Sequence, residues 1–133
     1  MKNFVNVPHG KRILIVDDDP DILELLEFNL ESSGYQVRTA SDGMRALWKI
    51  SDDPPPDCIL LDLMMPSPDG YELCSYLKQS AEYRSIPVII ISALGLPNDV
   101  ERGLKLGADA YLKKSSFNLE DLKATIAGLL APA

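Results

Sequence analysis

From Lys11 to near the C-terminus, short apolar runs alternate with stretches whose apolar residues recur every three or four positions. Ile13-Leu14-Ile15-Val16 ends in Asp17-Asp18-Asp19, and Cys58-Ile59-Leu60-Leu61 ends in Asp62. Apolar runs this short, bounded by turn formers, predict strands buried on both faces, as in a parallel sheet. The expected strands cover about 12–17, 35–40, 57–62, 87–92 and 110–113. Helical spacing fills the intervals. Asp19-Pro20 supplies an N-cap and a first-turn proline for a helix with Ile22, Leu25 and Leu26 on one stripe, ending at Gly34. A second helix over about 42–51 turns Ala46, Leu47 and Ile50 inward. Trp48 lies off that stripe and is expected to pack. Asp52 to Pro56 is too proline-rich to continue the helix and reads as a stiff turn. Ser67-Pro68 opens a third helix, about 68–80, with Tyr71, Leu73, Cys74 and Leu77 facing the interior. The fourth starts at Pro97 or Asn98, is weakened by Gly103 and ends at Gly107. Asn118 caps the last, which repeats Leu119, Leu122, Ile126 and Leu129.

Five strand–helix repeats with short right-handed crossovers predict an α/β fold: a three-layer, doubly wound (βα)5 sandwich. Its strand order is expected to be 2-1-3-4-5, the flavodoxin-like arrangement. Residues 1–10 lack periodicity and are expected to form a flexible leader that includes His9, leaving 11–131 as one domain. A length of 133 residues suffices for one well-buried core. The net charge of −7 and the lack of any basic run argue against a surface that meets nucleic acid directly. Cys58 and Cys74 read as buried reduced thiols. No segment resembles a signal peptide or reaches membrane-spanning length, so no membrane contact and a cytoplasmic location are expected.

Parallel strands deliver their last residues to one edge, where open α/β sheets place their ligand sites. Strands one, three, four and five end there in Asp17 and Asp18, Asp62, Ser92, and Lys113 or Lys114. Gathered carboxylates repel and call for a cation, and few acidic oxygen ligands suit Mg²⁺. One carboxylate can act as a nucleophile while the hydroxyl and the ammonium stabilise a transferring phosphoryl group. Taken singly these residues are ordinary turn formers, and Asp19 is read as a helix cap. Their common edge is what points to phosphoryl chemistry.

Asp17-Asp18, Asp62-Leu-Met-Met-Pro66 with Asp69-Gly70, Ser92-Ala93, and Gly107-Ala-Asp-Ala-Tyr111-Leu-Lys-Lys114 together resemble the receiver domain of two-component response regulators, from about Lys11 to Leu130. The resemblance implies phosphorelay signalling, with Asp62 as phosphoacceptor for a sensor histidine kinase or a phosphotransfer protein. It implies Mg²⁺, for which Mn²⁺ can substitute, held by Asp18, Asp62 and the Met64 backbone carbonyl, with Asp17 acting through water. Lys114 would pair with the carboxylate and the phosphoryl oxygens, and spacing from Tyr111 favours it over Lys113. Ser92 would bond the phosphoryl group and move inward, Tyr111 following it and biasing the face of helix four, strand five and helix five. Such a chain catalyses only its own phosphorylation and dephosphorylation and is not otherwise an enzyme. A kinase is expected to dock near helix one, with Ile22 and Leu23 as candidate contacts. An output domain, a downstream protein, or a homodimer through the switch face would complete its partners.

Two departures from the family pattern stand out. Proline usually follows the active-site lysine; here the run is Lys114-Ser115-Ser116-Phe117, and because cis before serine costs about 2.5–4 kcal/mol the expectation is a trans peptide, or else a strained cis bond held by the site. The same run is similar to receivers associated with chemotaxis kinases. Met64 and Leu94, which flank the phosphoryl position, cannot orient a hydrolytic water, so a long-lived phosphoryl group is expected. Two other readings stay open. A phosphatase of haloacid dehalogenase type would use Asp17 as nucleophile, although Asp19-Pro20 runs directly into a helix. A receiver-like binding module would take no phosphate at all.

Overall fold

The computed structural model describes residues 10–51 and 54–131. The expected leader lies outside them except for Gly10, and so do the first two residues of the proline-rich turn. The strands are β1 (Arg12–Val16), β2 (Gln36–Ala40), β3 (Cys58–Leu61), β4 (Val88–Ser92) and β5 (Ala110–Lys113). Five helices alternate with them: α1 (Pro20–Ser32), α2 (Gly43–Ser51), α3 (Gly70–Gln79), α4 (Pro97–Lys105) and α5 (Leu119–Leu130). The strands form one sheet in the order β2-β1-β3-β4-β5, every neighbouring pair parallel. This is the expected flavodoxin-like (βα)5 topology.

Side chains along a strand alternate between faces, and both faces here are covered. Ile13, Ile15, Leu60, Ile89 and Ile91 meet Leu26 and Leu30 of α1 and Leu122 and Ile126 of α5. Leu14, Val16, Ile59, Leu61 and Ile90 meet Ala46 and Ile50 of α2 and Leu73, Cys74 and Leu77 of α3. Each fully buried Leu or Ile contributes about 1.5–3 kcal/mol, so these two layers hold the sheet rigid under its C-terminal edge. Both cysteines are buried free thiols, their pKa values raised by burial to about 12 for Cys58 and about 11 for Cys74.

Three local expectations need correction. Helix α3 begins at Gly70, because Asp69 accepts from the Glu72 amide at 2.9 Å while Glu72 reaches back to the Asp69 amide. That reciprocal box outcompetes Ser67-Pro68, whose peptide is cis. Trp48 does not pack: it is 63% exposed, facing solvent with Met44, because the inward stripe of α2 is Gly43, Ala46 and Ile50. Leu25 likewise points outward on α1, where Leu26 and Leu30 form the buried stripe. The fourth helix has Gly103 as its sole buried residue.

Candidate functional site

Strand register delivers the candidate residues. Val16 lies opposite Leu61, Leu61 opposite Ile90, and Ser92 opposite Lys113, so β1 and β3 end level with each other while β4 and β5 run two residues further along the same edge. Backbone bonds carry the alignment one residue further: the Asp62 amide donates to Val16 at 2.9 Å, and the Lys114 amide to Ser92 at 2.8 Å. Asp17, Asp62 and Ser92 are buried, whereas Asp18 is exposed. One carboxylate oxygen from each of Asp17, Asp18 and Asp62 lies within 4.8 Å of the others. An all-oxygen set of this size suits a small hard divalent cation.

Lys114 reaches into this cluster, with Nζ 2.8 Å from Asp17 Oδ2 and 3.7 Å from Asp62 Oδ1. Lys113, by contrast, is exposed and lays its stem beside Gly95. Of the two lysines, Lys114 is the one whose ammonium enters the acidic cluster. Burial pulls the pKa of its ammonium down, but the hydrogen bond from Lys114 to Asp17 and the charges of Asp17 and Asp62 raise it above the ordinary value. Asp17 has both oxygens engaged, since Oδ1 accepts the Asp19 amide at 2.9 Å. Asp19 is the α1 cap as expected, accepting from the Asp21 amide at 2.9 Å. Burial and the nearby Asp17 charge raise the Asp62 carboxyl to about 6, despite Lys114. The Met64 amide points at Asp62 Oδ1 from 3.4 Å, and the Met64 side chain is 54% exposed.

Ser92 is fully buried, and its Oγ accepts the Leu94 amide at 3.1 Å. The Tyr111 hydroxyl donates to the Leu94 carbonyl, which ties β5 to the loop after β4. Burial raises the pKa of that phenol, and a contact with Ser92 partly offsets it. Lys114–Ser115 is trans, as expected, since among the described residues Ser67–Pro68 is the cis peptide. Gly70, the second residue of the Asp69-Gly70 pair, sets the site's geometry. A Cβ there would strike the Asp62 carbonyl and sit 2.5 Å from Leu63 Cα, so only glycine lets α3 start this close to the acidic strand end. Met64 and Leu94 line an open groove beside Asp62, together with Asp69, Tyr71 and Arg102.

The family model of the response regulator receiver domain matches residues 13–127. The chain belongs to that family. The receiver is 42% identical over 119 residues to the DNA-binding dual master transcriptional regulator RpaA of Synechocystis, a match that covers 90% of this chain and 48% of RpaA. It thus spans about half the length of the curated relatives it matches. A putative response regulator from Chloroflexus aurantiacus superposes with a TM-score of 0.85 at 34% identity, covering 92% of this chain and 99% of that one. The Mn(2+)-bound form of response regulator Rcp1 does so at 0.76 and 30%, covering 90% and 91%. The chain is therefore a receiver of two-component phosphorelay signalling, and the phosphatase reading lapses. No helix among the described residues is long and apolar enough to cross a membrane.

Proposed function

We propose that Asp62 is the phosphoacceptor of this receiver, taking its phosphoryl group from a histidine kinase or a phosphotransfer protein. One observation carries the reading: three carboxylates converge at the sheet edge with one ammonium set between two of them. An Asp62 oxygen attacks phosphorus, the P–O bond forms as the donor's P–N bond breaks, and the imidazole leaves with a proton in place of phosphorus. Lys114 stands close enough to follow the developing charge from carboxylate to phosphoryl oxygens. Ser92 offers its hydroxyl to the same oxygens. Asp18, Asp62 and the Met64 carbonyl would hold Mg²⁺ or Mn²⁺, with Asp17 acting through water because its own oxygens are already engaged. The cation supplies charge neutralisation between the entering phosphoryl group and the carboxylates.

Ser92 and Tyr111 would transmit the change to the face of α4, β5 and α5, where a joined output domain, a downstream protein or a second copy docks. RpaA is named as DNA-binding, but this acidic domain would reach nucleic acid only through such an output domain. Residues 11–131 would form the functional unit behind a leader of residues 1–10, in the cytoplasm. The test is labelling with a radioactive acyl phosphate, comparing wild type with Asp62→Asn. Label that disappears in the variant supports the reading, and label that persists overturns it. A wild type that never takes label is a binding module instead.

A further inference from the structure

Helix α4 is weakly anchored by its own side chains, since Gly103 is the only one of its residues that is buried. Two tyrosines grip it from either side. Tyr111 of β5 lays its ring against Gly103, where a Cβ would sit 3.1 and 3.2 Å from ring carbons and 2.8 Å from Ile90 Cδ1. Tyr71 of α3 is buried beneath Arg102, whose guanidinium carbon stands 3.8 Å from the ring centroid. The Tyr71 hydroxyl also points at the Asp99 carbonyl in the first turn of α4, at 3.5 Å. Tyr71 follows Gly70, and Gly70 is packed on the backbone of Asp62 and Leu63. A chain of contacts therefore runs from the acidic strand end through α3 to α4, separate from the one through Ser92.

Among the described residues no carboxylate lies within salt-bridge distance of Arg102, so its partner is the Tyr71 ring. We propose that Arg102 is a positioning residue of the switch: by stacking on Tyr71 it holds α4 where Gly103 seats the Tyr111 ring. The hydroxyl of that seated ring bonds the Leu94 carbonyl, beside Ser92. The stack thus sets the resting position of the aromatic switch before any phosphoryl group arrives. The assignment rests on the proposed role of Tyr111.

The test uses the full chain labelled with 3-fluorotyrosine and read by fluorine NMR, with Tyr111→Phe and Tyr71→Phe assigning two of the five tyrosine signals. Arg102→Ala, an exposed substitution, is expected to lower the ratio of seated to released Tyr111 roughly two- to fivefold, the range of an exposed cation–π contact. Arg102→Lys restores part of the ratio, since an ammonium can also sit over the ring. Gly103→Ala displaces the Tyr111 signal by crowding the seat directly. A Tyr111 signal that ignores Arg102→Ala overturns the proposal, and so does an Arg102→Lys variant no better than alanine. The readout needs no phosphoryl group. Failure of Asp62 to take label would overturn the proposed function and leave the fluorine result standing.

Discussion

Asp62 works in surroundings that resist its own charge. Its carboxyl is held near 6 in the folded chain, against an ordinary 3.8, because it is buried and faces Asp17. The folded chain consequently binds the extra proton between those values, so stability falls as pH rises from about 4 to 6 and stays depressed above. Removing the charge should relieve this. Without divalent cations, Asp62→Asn is expected to stabilise the domain by roughly 2–3 kcal/mol at pH 7.5, but by only about 1 kcal/mol at pH 4.5. Urea melts in EDTA at the two pH values would show it; an equal gain at both would point to packing rather than charge. The groove beside Asp62 yields a second prediction at this scale. Met64 and Leu94, its apolar walls, offer no group to orient an attacking water. Once a small phosphodonor is removed, the aspartyl phosphate should persist for many minutes, and Met64→Asn with Leu94→Glu should shorten its life at least tenfold. Decay within seconds in the wild type would refute the argument.

Among the elements, the strands were the most legible in the sequence, because a strand buried on both faces is written as an unbroken apolar run. Cys58 to Leu61 and Val88 to Ser92 have no exposed position, and polar residues mark their C-terminal ends. The helices were legible in existence but less so in orientation. Trp48 and Leu25 were expected inside because large apolar residues usually are, and only the packed structure shows which stripe of α1 or α2 meets the sheet. The start of α3 was misplaced because two capping signals stand two residues apart, and the reciprocal one at Asp69 wins. Contacts between elements left no local trace. Lys78 of α3, for instance, donates to the Ile86 carbonyl at 2.8 Å and to Asp109 at 2.9 Å, while Asp109 accepts the Val88 amide at 2.8 Å. The approach of α3 to β3 at Gly70 is of the same kind, and it makes a prediction. Gly70→Ala must push the start of α3 off the Asp62 backbone, costing about 1–3 kcal/mol. Acyl-phosphate labelling of the folded variant should slow as the carboxylate shifts against Lys114. Unchanged stability and labelling would mean that α3 is free to slide.

At the scale of the whole molecule, the site is a local concentration of the acidity that pervades the chain. A net charge of −7 attracts cations everywhere, so stabilisation by a divalent salt is informative only if it is specific. The geometry predicts specificity, because the oxygens of Asp17, Asp18 and Asp62 converge to within 4.8 Å on a sheet edge that the core holds rigid. A ligand that binds only the folded chain at a hundredfold excess over its Kd adds about 2.7 kcal/mol. For a domain of 133 residues that corresponds to a rise in Tm of roughly 10 °C. Saturating MgCl2 should produce such a rise, EDTA should reverse it, and NaCl at matched ionic strength should not reproduce it. Asp18 is exposed and its removal threatens no packing, so Asp18→Asn should fold normally yet lose most of the Mg²⁺ shift. Asp62→Asn tests the same site from the other side: it begins more stable because repulsion is gone, and gains less from Mg²⁺ because a ligand is gone. The two effects oppose each other by the same cause, so they should be non-additive. If Mg²⁺ stabilises Asp62→Asn as much as the wild type, the cation is bound by diffuse surface charge and the acidic edge is not its site.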